Sequence, residues 1–337
     1  MKIVYVGTRL QVNGATKVAV EQCNLLQSMG HRVRMAVLGR DSLDWCNPLV
    51  PVKYLTSLRG MPIYDDELIV ALDSFITNWF VRQYGEKRVV SLIQVDEPGL
   101  YNDPKLITAA KAGFSQLNPK ITVSKYLHDV LLSYGMESFV IAPAISGEIF
   151  YPAERTIPES NKPFRVLVVG SYDHPLKKVS TAFSALEKLK QSGIDVRLNR
   201  LVRKPENYAP KGVETTWFID LPQERIGEVY RSSDALLSAS ISEGFGLILL
   251  EAMACGVPFI TTDNGGSRDI VSLGTDMVVE VGDIDAMAGS LHRLATDPRL
   301  WSKLRDIGLE RVKNWSWEKS AAGLEAQLKS IYCDAFL

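Results

Sequence analysis

The feature that most constrains the fold lies between Ser238 and Ile270, where four short segments follow one another without a break. A strand-like run ends at Leu237, and a loop containing Gly-Phe-Gly follows it. Leu247 to Cys255 is apolar and is followed by Gly256 and Pro258, which predicts a helix that stops there. Val257 to Thr262 then predicts a short buried strand, and the next residues predict a turn (Asn264-Gly265-Gly266).

The glycine-rich loop has a spacing that suits a phosphate ligand. Four consecutive backbone amides would lie at the helix N-terminus, where the N–H groups and the helix dipole favour a diphosphate: Gly244, Phe245, Gly246 and Leu247. Glu243 and Glu251 are eight positions apart, about 12 Å along a helix. Two carboxylates at that spacing could accept hydrogen bonds from the sugar and from the ribose of one sugar nucleotide. The structural alternative is a solvated helix face that carries two acids.

The stretch EGFGLILLEAMACGVPFITTDNGG resembles the donor-binding signature of the retaining glycosyltransferases of family 4, which have the GT-B fold. Glu243 and Glu251 match the two acids of the E-x7-E pattern of that family. The resemblance implies that the backbone from Gly244 to Leu247 holds the diphosphate and the sugar.

Composition excludes several other classes of protein. The chain has 337 residues, with 38 basic and 39 acidic side chains, so neither nucleic acid nor a strongly acidic polymer is an expected partner. It has no apolar run of the ~18 residues that a membrane-spanning helix needs. Met1 to Gly7 predicts a strand rather than a signal segment, and the four cysteines lack metal-type or paired spacing. We expect a cytoplasmic protein, at most peripheral at the inner face of the membrane.

The amino-terminal half begins with a β-α-β pattern: a strand over Lys2–Val6, a helix over Ala15–Met29 and a strand over His31–Leu38. The first loop, Thr8 to Gly14, is not GxGxxG, so a dinucleotide site there has little support. NGATKVAVEQCNLLQSMGHRV resembles the first loop, helix and strand of the same family. The resemblance implies that Gly14 faces the donor phosphates and that Asn13 lies on the acceptor side.

Acidic residues follow the predicted strand over Val89–Gln94. Asp96 and Glu97 come just past its carboxyl end, where parallel α/β sheets place their ligands. Many family members have a histidine near this point, and this chain has none. The run LIQVDEPGLYNDP resembles instead the subgroup that transfers rhamnose-type sugars. Asp96 or Glu97 would then take the polar role at the reaction centre; the structural alternatives are a helix cap and a salt bridge.

The segment GSYDHPLKKVSTAF departs from the family pattern of Gly-Arg followed by Lys-Gly. Ser171 stands where the arginine is expected, Lys177 matches the lysine, and Lys178 occupies the glycine position. Loss of one cation should weaken stabilisation of the departing diphosphate. A side chain nearby could compensate for it: Lys178, His174, Arg200 or Arg203.

The pattern as a whole predicts an α/β protein with the GT-B fold, two Rossmann-like doubly wound domains that face each other across a cleft. We expect an acceptor domain over residues 1–150 and a donor domain over 164–316. The proline-rich segment 151–163 would link them, and a helix over about 317–337 would pack back on the first domain.

The resemblance implies a retaining, metal-independent glycosyltransferase of the hexosyltransferase type, acting in glycan, glycolipid or natural-product synthesis. Its donor would be a UDP-, GDP- or dTDP-linked sugar, and its acceptor a glycan, a lipid-linked intermediate or a small molecule. Glu243, Lys177 and Asp96 would serve catalysis. The remaining roles fall to donor-binding residues (Gly14, Ser171, Lys177, Glu243 to Leu247 and Glu251) and to acceptor-side residues (Asn13, Asp96 and Glu97).

Three other functions remain open from the sequence. One is a weak or inactive glycosyltransferase-like subunit that binds a sugar nucleotide. Another is a sugar-nucleotide epimerase or a phosphorylase, which can share the architecture. The last is a nucleotide-dependent oxidoreductase, suggested only by the first β-α-β unit.

Overall fold

A computed structural model describes residues 1–8, 13–39, 43–153, 162–271 and 277–336. The chain divides into two compact units. The first comprises Met1–Pro143 with Trp317–Leu337, and the second comprises Ala144–Ser316. Each contains a parallel sheet whose strands alternate with helices, so the predicted α/β class with two Rossmann-like domains is confirmed.

The first unit contains a seven-stranded parallel sheet in the order β3-β2-β1-β4-β5-β6-β7. Its strands are β1 (Lys2–Thr8), β2 (Arg32–Leu38), β3 (Val52–Leu55), β4 (Glu67–Ala71), β5 (Val89–Ile93), β6 (Lys120–Thr122) and β7 (Phe139–Val140). The central strands are continuous buried runs, as a sheet covered on both faces requires. The chain builds outwards from β1 to β3 and then returns to β4 beside β1. The carboxyl ends of β1 and β4 therefore form a topological switch point, where open α/β sheets bind ligands.

The helices of the first unit begin at side chains that cap them. They are α1 (Gly14–Ser28), α2 (Ser74–Tyr84), α3 (Glu97–Leu100), α4 (Pro104–Phe114) and α5 (Lys125–Leu132). Asn13, Asp73 and Ser124 each accept a hydrogen bond from a backbone N–H three residues later. α2 buries Ile76 and Phe80 against the sheet.

The second unit contains a six-stranded parallel sheet in the order β10-β9-β8-β11-β12-β13. Its strands are β8 (Phe164–Val169), β9 (Val196–Val202), β10 (Glu214–Ile219), β11 (Ala235–Ser238), β12 (Phe259–Thr262) and β13 (Val278–Val279). Its helices are α6 (Val179–Gln191), α7 (Gln223–Arg231), α8 (Leu247–Ala254), α9 (Ile284–Thr296) and α10 (Pro298–Arg311). The switch point of this sheet lies between the carboxyl ends of β8 and β11.

The last helix, α11 (Trp317–Phe336), groups with the first unit. Glu325 on this helix lies 2.8 Å from His31 Nε2, and the Tyr332 hydroxyl donates to the Asp66 carbonyl across 2.8 Å. These two contacts tie the end of the chain to the amino-terminal ends of β2 and β4.

The division of the chain lies between Pro143 and Ala144. Residues 144–150, assigned from the sequence to the first domain, thus group with the second unit, where the Phe150 ring packs edge-on to Tyr230 at 5.8 Å. Most of the predicted linker, residues 154–161, lies outside the described residues, and so do residues 9–12 of the first loop. The domain boundaries stay predictions.

In the part of the chain that the structure describes, no helix is both long and apolar enough to cross a membrane. All four cysteines are free thiols; Cys333 is exposed and the other three are buried.

Candidate functional site

The loops that follow β8 and β11 lie side by side at the switch point of the second sheet. The Ile241 amide, after β11, donates to the Leu176 carbonyl, after β8, across 2.8 Å. The 171–177 loop is itself closed by two turns, in which Ser171 and His174 accept hydrogen bonds from backbone N–H groups three residues later. The two segments singled out in the sequence therefore form one surface.

A salt bridge joins the two loops. Lys177 Nζ lies 2.6 Å from Glu243 Oε1, and the side chains are 26% and 17% exposed. A short charge-assisted bond of this kind fixes both groups, yet both remain in reach of solvent and thus of a ligand. An ammonium group has three donors, so Lys177 can bind phosphate oxygens while it keeps Glu243 in place.

The backbone of Glu243 is held by the glycine turn after β12. Its N–H donates to the Asn264 carbonyl across 3.0 Å, and its carbonyl accepts from the Gly266 N–H across 3.0 Å. A Cβ at Gly266 would lie 2.5 Å from the Phe245 nitrogen and 2.6 Å from the Glu243 carbonyl oxygen. Only glycine fits at this position, because backbone atoms occupy the space of a side chain. The Asn264-Gly265-Gly266 turn thus supports the carboxylate that the sequence analysis places at the donor.

The helix that follows the loop begins without a side-chain cap. Gly246 precedes α8 with φ +101°, a conformation that favours glycine, and no side chain caps the helix there. Gly244, Phe245 and Gly246 are buried, and Leu247 is partly buried. The helix end points its first-turn amides towards the loop, an arrangement suited to an anion.

The second acid of the E-x7-E pattern is held by a buried phenol. The Tyr230 hydroxyl donates to Glu251 Oε2 across 2.6 Å, and Tyr230 has no exposed surface. Burial, with the Glu251 carboxylate as a further cause, raises the pKa of Tyr230 well above its usual range, so the phenol stays a donor. The sequence gives no sign of this contact, because Tyr230 lies on a different helix.

The position of the missing arginine is not filled by Arg200, one of the suggested replacements. Arg200 is fully buried, and its guanidinium donates to the Val168 and Gly170 carbonyls at 3.0 and 2.7 Å and to Glu206 at 2.8 Å. Burial lowers its pKa, and the bond to Glu206 offsets part of the shift. The buried Arg200 side chain therefore supports the loop after β8 from the protein interior and does not face a ligand.

The other suggested replacements have different surroundings. Arg203 forms a surface salt bridge with Asp220 at 2.7 Å. Lys178 is exposed and adopts a left-handed conformation (φ +43°), where the family has glycine. His174 is the remaining candidate beside the Lys177–Glu243 pair. Desolvation and then the Lys177 cation lower the pKa of His174, while Glu243 raises it, so the imidazole is mostly neutral at pH 7.

In the first unit, carboxylates gather at the switch point between β1 and β4. Asp73 caps α2 and also accepts from the Thr8 N–H and hydroxyl, at 3.1 and 2.9 Å. Glu97 accepts from the Ser74 N–H at 3.0 Å. Burial, followed by the Asp73 charge, raises the pKa of Glu97 to about 7. Two carboxylates thus share one helix N-terminus, and near neutral pH Glu97 is protonated about half of the time.

The predicted acceptor-side residues make local backbone contacts. Asp96 caps the short helix α3, where it accepts from the Gly99 N–H at 3.3 Å. Asn13 accepts from the Thr16 N–H at 2.9 Å, and Gly14 begins α1. Gln94 donates to the Ala15 carbonyl at 3.0 Å and so joins the end of β5 to α1. The structural alternative considered for Asp96, a helix cap, is therefore present.

A groove of about 750 Å³ lies elsewhere in the first unit, between α2 and α4. Phe75, Trp79 and Arg82 line one side and Pro104 and Lys105 the other. None of the predicted site residues lines it. Within the described residues, no three His, Cys, Asp or Glu side chains come together as metal ligands would.

Comparison with known proteins finds a family match within the second unit. Residues 152–311 match the family described as "Glycosyl transferases group 1". The match covers somewhat less than half of the 337-residue chain. The group 1 segment contains Lys177, Glu243 and Glu251, and it corresponds closely to the second unit, Ala144–Ser316.

Two curated relatives show how far the sequence similarity extends. Over 102 residues the chain is 40% identical to a D-inositol 3-phosphate glycosyltransferase of Rhodococcus erythropolis, a match that covers 30% of this chain and 23% of that protein. Over 232 residues it is 28% identical to the MMP alpha-(1->4)-mannosyltransferase of Mycolicibacterium hassiacum, covering 65% and 52%. The chain therefore spans about half or less of the length of these relatives.

Two solved structures resemble almost the whole chain in fold. Sucrose-phosphate synthase from Thermosynechococcus elongatus matches with a TM-score of 0.81 at 18% identity, over 99% of this chain and 100% of that one. HepE of Anabaena, in complex with UDP-glucose, matches with a TM-score of 0.72 at 16% identity, over 98% and 100%. At these identities the likeness establishes the GT-B fold.

Proposed function

We propose that this protein is a glycosyltransferase that moves a sugar from a nucleotide diphosphate sugar to an acceptor hydroxyl, with retention at the anomeric carbon. The observation that carries the proposal is the Lys177–Glu243 salt bridge beside the glycine-rich start of α8. The match of residues 152–311 to the glycosyl transferases group 1 family and the glycosyltransferase activities for which the relatives are named support the same activity.

The proposed donor site assigns one chemical task to each group. Lys177 and the first-turn amides of α8 bind the diphosphate, whose charge they neutralise. Glu243 accepts hydrogen bonds from the transferred sugar, and Glu251, oriented by Tyr230, accepts them from the ribose. UDP, GDP and dTDP sugars all fit this scheme, and the UDP-glucose complex of HepE makes a UDP sugar the first to test.

The proposed reaction uses no covalent enzyme intermediate and no metal ion. The bond between the anomeric carbon and the β-phosphate oxygen breaks, and the acceptor oxygen bonds to that carbon from the same face. The acceptor proton passes to the departing phosphate. Lys177 stabilises the charge that develops on the diphosphate, which makes it a residue that acts in the transition state.

The acceptor side of the proposal rests on the carboxyl edge of the first sheet. Asp96, Glu97 and the start of α1, with Asn13 and Gly14, present polar groups there. Asp96 would accept a hydrogen bond from the acceptor hydroxyl in addition to its capping bond, because a carboxylate has several acceptor sites. A glycan, a lipid-linked intermediate or a small molecule would each satisfy this requirement.

The test is a panel of UDP-, GDP- and dTDP-linked sugars, assayed by thermal shift and by slow hydrolysis on the wild type and on Glu243→Ala. One donor should stabilise the wild type and be hydrolysed, and hydrolysis should drop in the variant. Binding without hydrolysis or transfer would favour the inactive-subunit alternative. Interconversion of the free donor would indicate an epimerase, and a requirement for inorganic phosphate a phosphorylase.

A further inference from the structure

Two tyrosine rings are stacked at the carboxyl edge of the second sheet. Tyr172 follows β8 and Tyr208 follows β9, and these strands are neighbours in the sheet. Their ring centroids lie 4.1 Å apart with an angle of 14° between the planes. Two loops thus contribute one aromatic surface at the edge of the sheet where parallel α/β proteins bind their ligands.

A buried ion pair fixes this surface. Glu206 is 9% exposed; one of its carboxylate oxygens lies 2.8 Å from Arg200, and the other accepts from the Tyr172 N–H at 3.0 Å. Arg200 in turn bonds the Gly170 carbonyl. A single carboxylate therefore connects the loop after β9 to the loop after β8. Burying a charge pair is costly unless its geometry is good. Here the Arg200–Glu206 pair fixes the two loops that carry the stacked rings.

The two rings differ in access to solvent. Tyr172 is the inner ring, with Phe183 at 5.6 Å as a second neighbour and Tyr208 stacked on it. Tyr208 is the outer ring and keeps 48% of its surface exposed. A half-exposed tyrosine that is stacked on a fixed partner offers an ordered, flat and neutral surface to a ligand.

The same loop connects the aromatic pair to the phosphate end of the proposed donor site. The Cα of Gly170 lies so close to Lys177 that an added Cβ would be 3.4 Å from Lys177 Cγ, and Tyr172 is two residues further along. At Ser171, between them, the chain has no cation to hold the diphosphate. A donor bound at Lys177 would gain no cation from Ser171, and the residue that follows Ser171 on the loop is the stacked Tyr172.

We infer that Tyr208, backed by Tyr172, stacks against the nucleobase of the donor and is a further donor-binding residue of this chain. The inference rests on the proposed function, because it takes the ligand to be a nucleoside diphosphate sugar. A nucleobase is planar and uncharged, and its stacking on an aromatic side chain contributes roughly 1–3 kcal/mol. Tyr208 thus strengthens donor binding where the cation is missing.

The experiment measures dissociation constants of UDP, GDP, dTDP and inorganic pyrophosphate for the wild type, Tyr208→Phe and Tyr208→Leu. For the nucleotide that the wild type binds most tightly, Tyr208→Leu should weaken binding by roughly 5- to 150-fold, the range that such stacking energies give. Tyr208→Phe keeps the ring and should bind like the wild type. Pyrophosphate lacks the base, so its binding should be the same in all three proteins. Tyr64 in the first unit is similarly exposed (56%), so Tyr64→Leu is the matched control.

Each other result overturns the inference in a recognisable way. Equal nucleotide binding by Tyr208→Leu and the wild type would show that the ring does not touch the base. A parallel loss of pyrophosphate binding would assign Tyr208 to the shape of the phosphate loop. If no nucleotide binds the wild type, the proposed function fails, and this inference fails with it.

Discussion

Tyr230 donates a hydrogen bond of 2.6 Å to Glu251 from a position with no exposed surface, so the proposed ribose-binding carboxylate is oriented from the protein interior. The phenol fixes one oxygen of Glu251, and a carboxylate has about four acceptor sites in all. A buried tyrosine in this position makes donor affinity depend on a residue that would not touch the donor.

Tyr230→Phe should therefore weaken nucleotide binding while leaving the fold intact. Hydrogen bonds to charged groups contribute about 1.5–3 kcal/mol, and part of that energy would appear as a roughly 3- to 10-fold rise in the donor dissociation constant. Isothermal titration with the donor found in the panel measures it. Tyr5→Phe removes a similarly buried hydroxyl, bonded to Gln22 at 3.3 Å in the first unit, and should leave donor affinity unchanged. An equal effect of the two variants would contradict the orienting role.

The Lys177–Glu243 salt bridge predicts a different kinetic signature for each charged residue of the donor site. Lys177→Met should lower kcat/KM by about 100-fold or more, because the cation acts on the departing diphosphate. Glu243→Ala should mainly lower kcat, and Glu251→Ala should mainly raise the donor KM. Steady-state kinetics separates these effects. Lys190→Met removes a surface lysine whose 3.0 Å partner is Asp195, and it should change kcat/KM by less than about twofold.

The left-handed conformation of Lys178 predicts a stabilising substitution. A residue with a Cβ costs about 1–2 kcal/mol at such a φ, and glycine does not, although glycine loses more entropy on folding. Lys178→Gly should raise the free energy of unfolding of the second unit by about 0.5–1 kcal/mol, measured by denaturant titration. Lys188→Gly, within α6, should lower it by about 1 kcal/mol. A loss of stability in Lys178→Gly would show that the lysine contributes contacts that outweigh the strain.

Burial of Glu97 predicts that the stability of the first unit depends on pH. Its pKa is about 7 in the folded protein against 4.5 in the unfolded chain, so between these values only the unfolded chain releases the proton. The free energy of unfolding should fall as the pH rises through that window, by on the order of 1–3 kcal/mol in total. Glu97→Gln cannot titrate, and its amide oxygen still accepts from Ser74.

The comparison is the melting temperature of Glu97→Gln and of the wild type at pH 4, 6 and 8. The two proteins should melt together at pH 4, and the variant should be the more stable at pH 8. Glu137→Gln, at an exposed position, should follow the wild type throughout. A constant difference between Glu97→Gln and the wild type at all three values would mean that the carboxyl does not titrate in this range.

Much of the fold could be predicted because the buried strands and capped helices carry local signals. The first β-α-β unit, predicted over Lys2–Val6, Ala15–Met29 and His31–Leu38, follows from apolar periodicity, and it is confirmed to within about two residues at each end. β3 (Val52–Leu55) was missed, because three of its four residues lie at least partly exposed at the sheet edge and show no buried pattern. The short edge strands β7 and β13 were not predicted either, because their residues are also exposed or only partly buried.

The candidate site could be predicted only where its residues share one segment of sequence. Glu243, the glycines and α8 are adjacent in the chain, and a parallel bridge joins Gly265, after β12, to Glu243. The sequence left Arg200 open as one of several replacement cations, because the bond from its guanidinium to a carbonyl of the neighbouring strand leaves no periodic pattern. Tyr172 and Tyr208 are 36 positions apart, and only the parallel pairing of β8 and β9 brings them together.

Gly266 limits how this site can change. Backbone atoms of the neighbouring loop stand where any other residue would place its first side-chain carbon. In a saturation library, position 266 should therefore return glycine alone, whereas positions 171 and 208 should return several residues. Engineering of donor preference can therefore start from positions 171 and 208. Gly266 would stay unchanged and keep its turn packed against the backbone of the loop at Glu243.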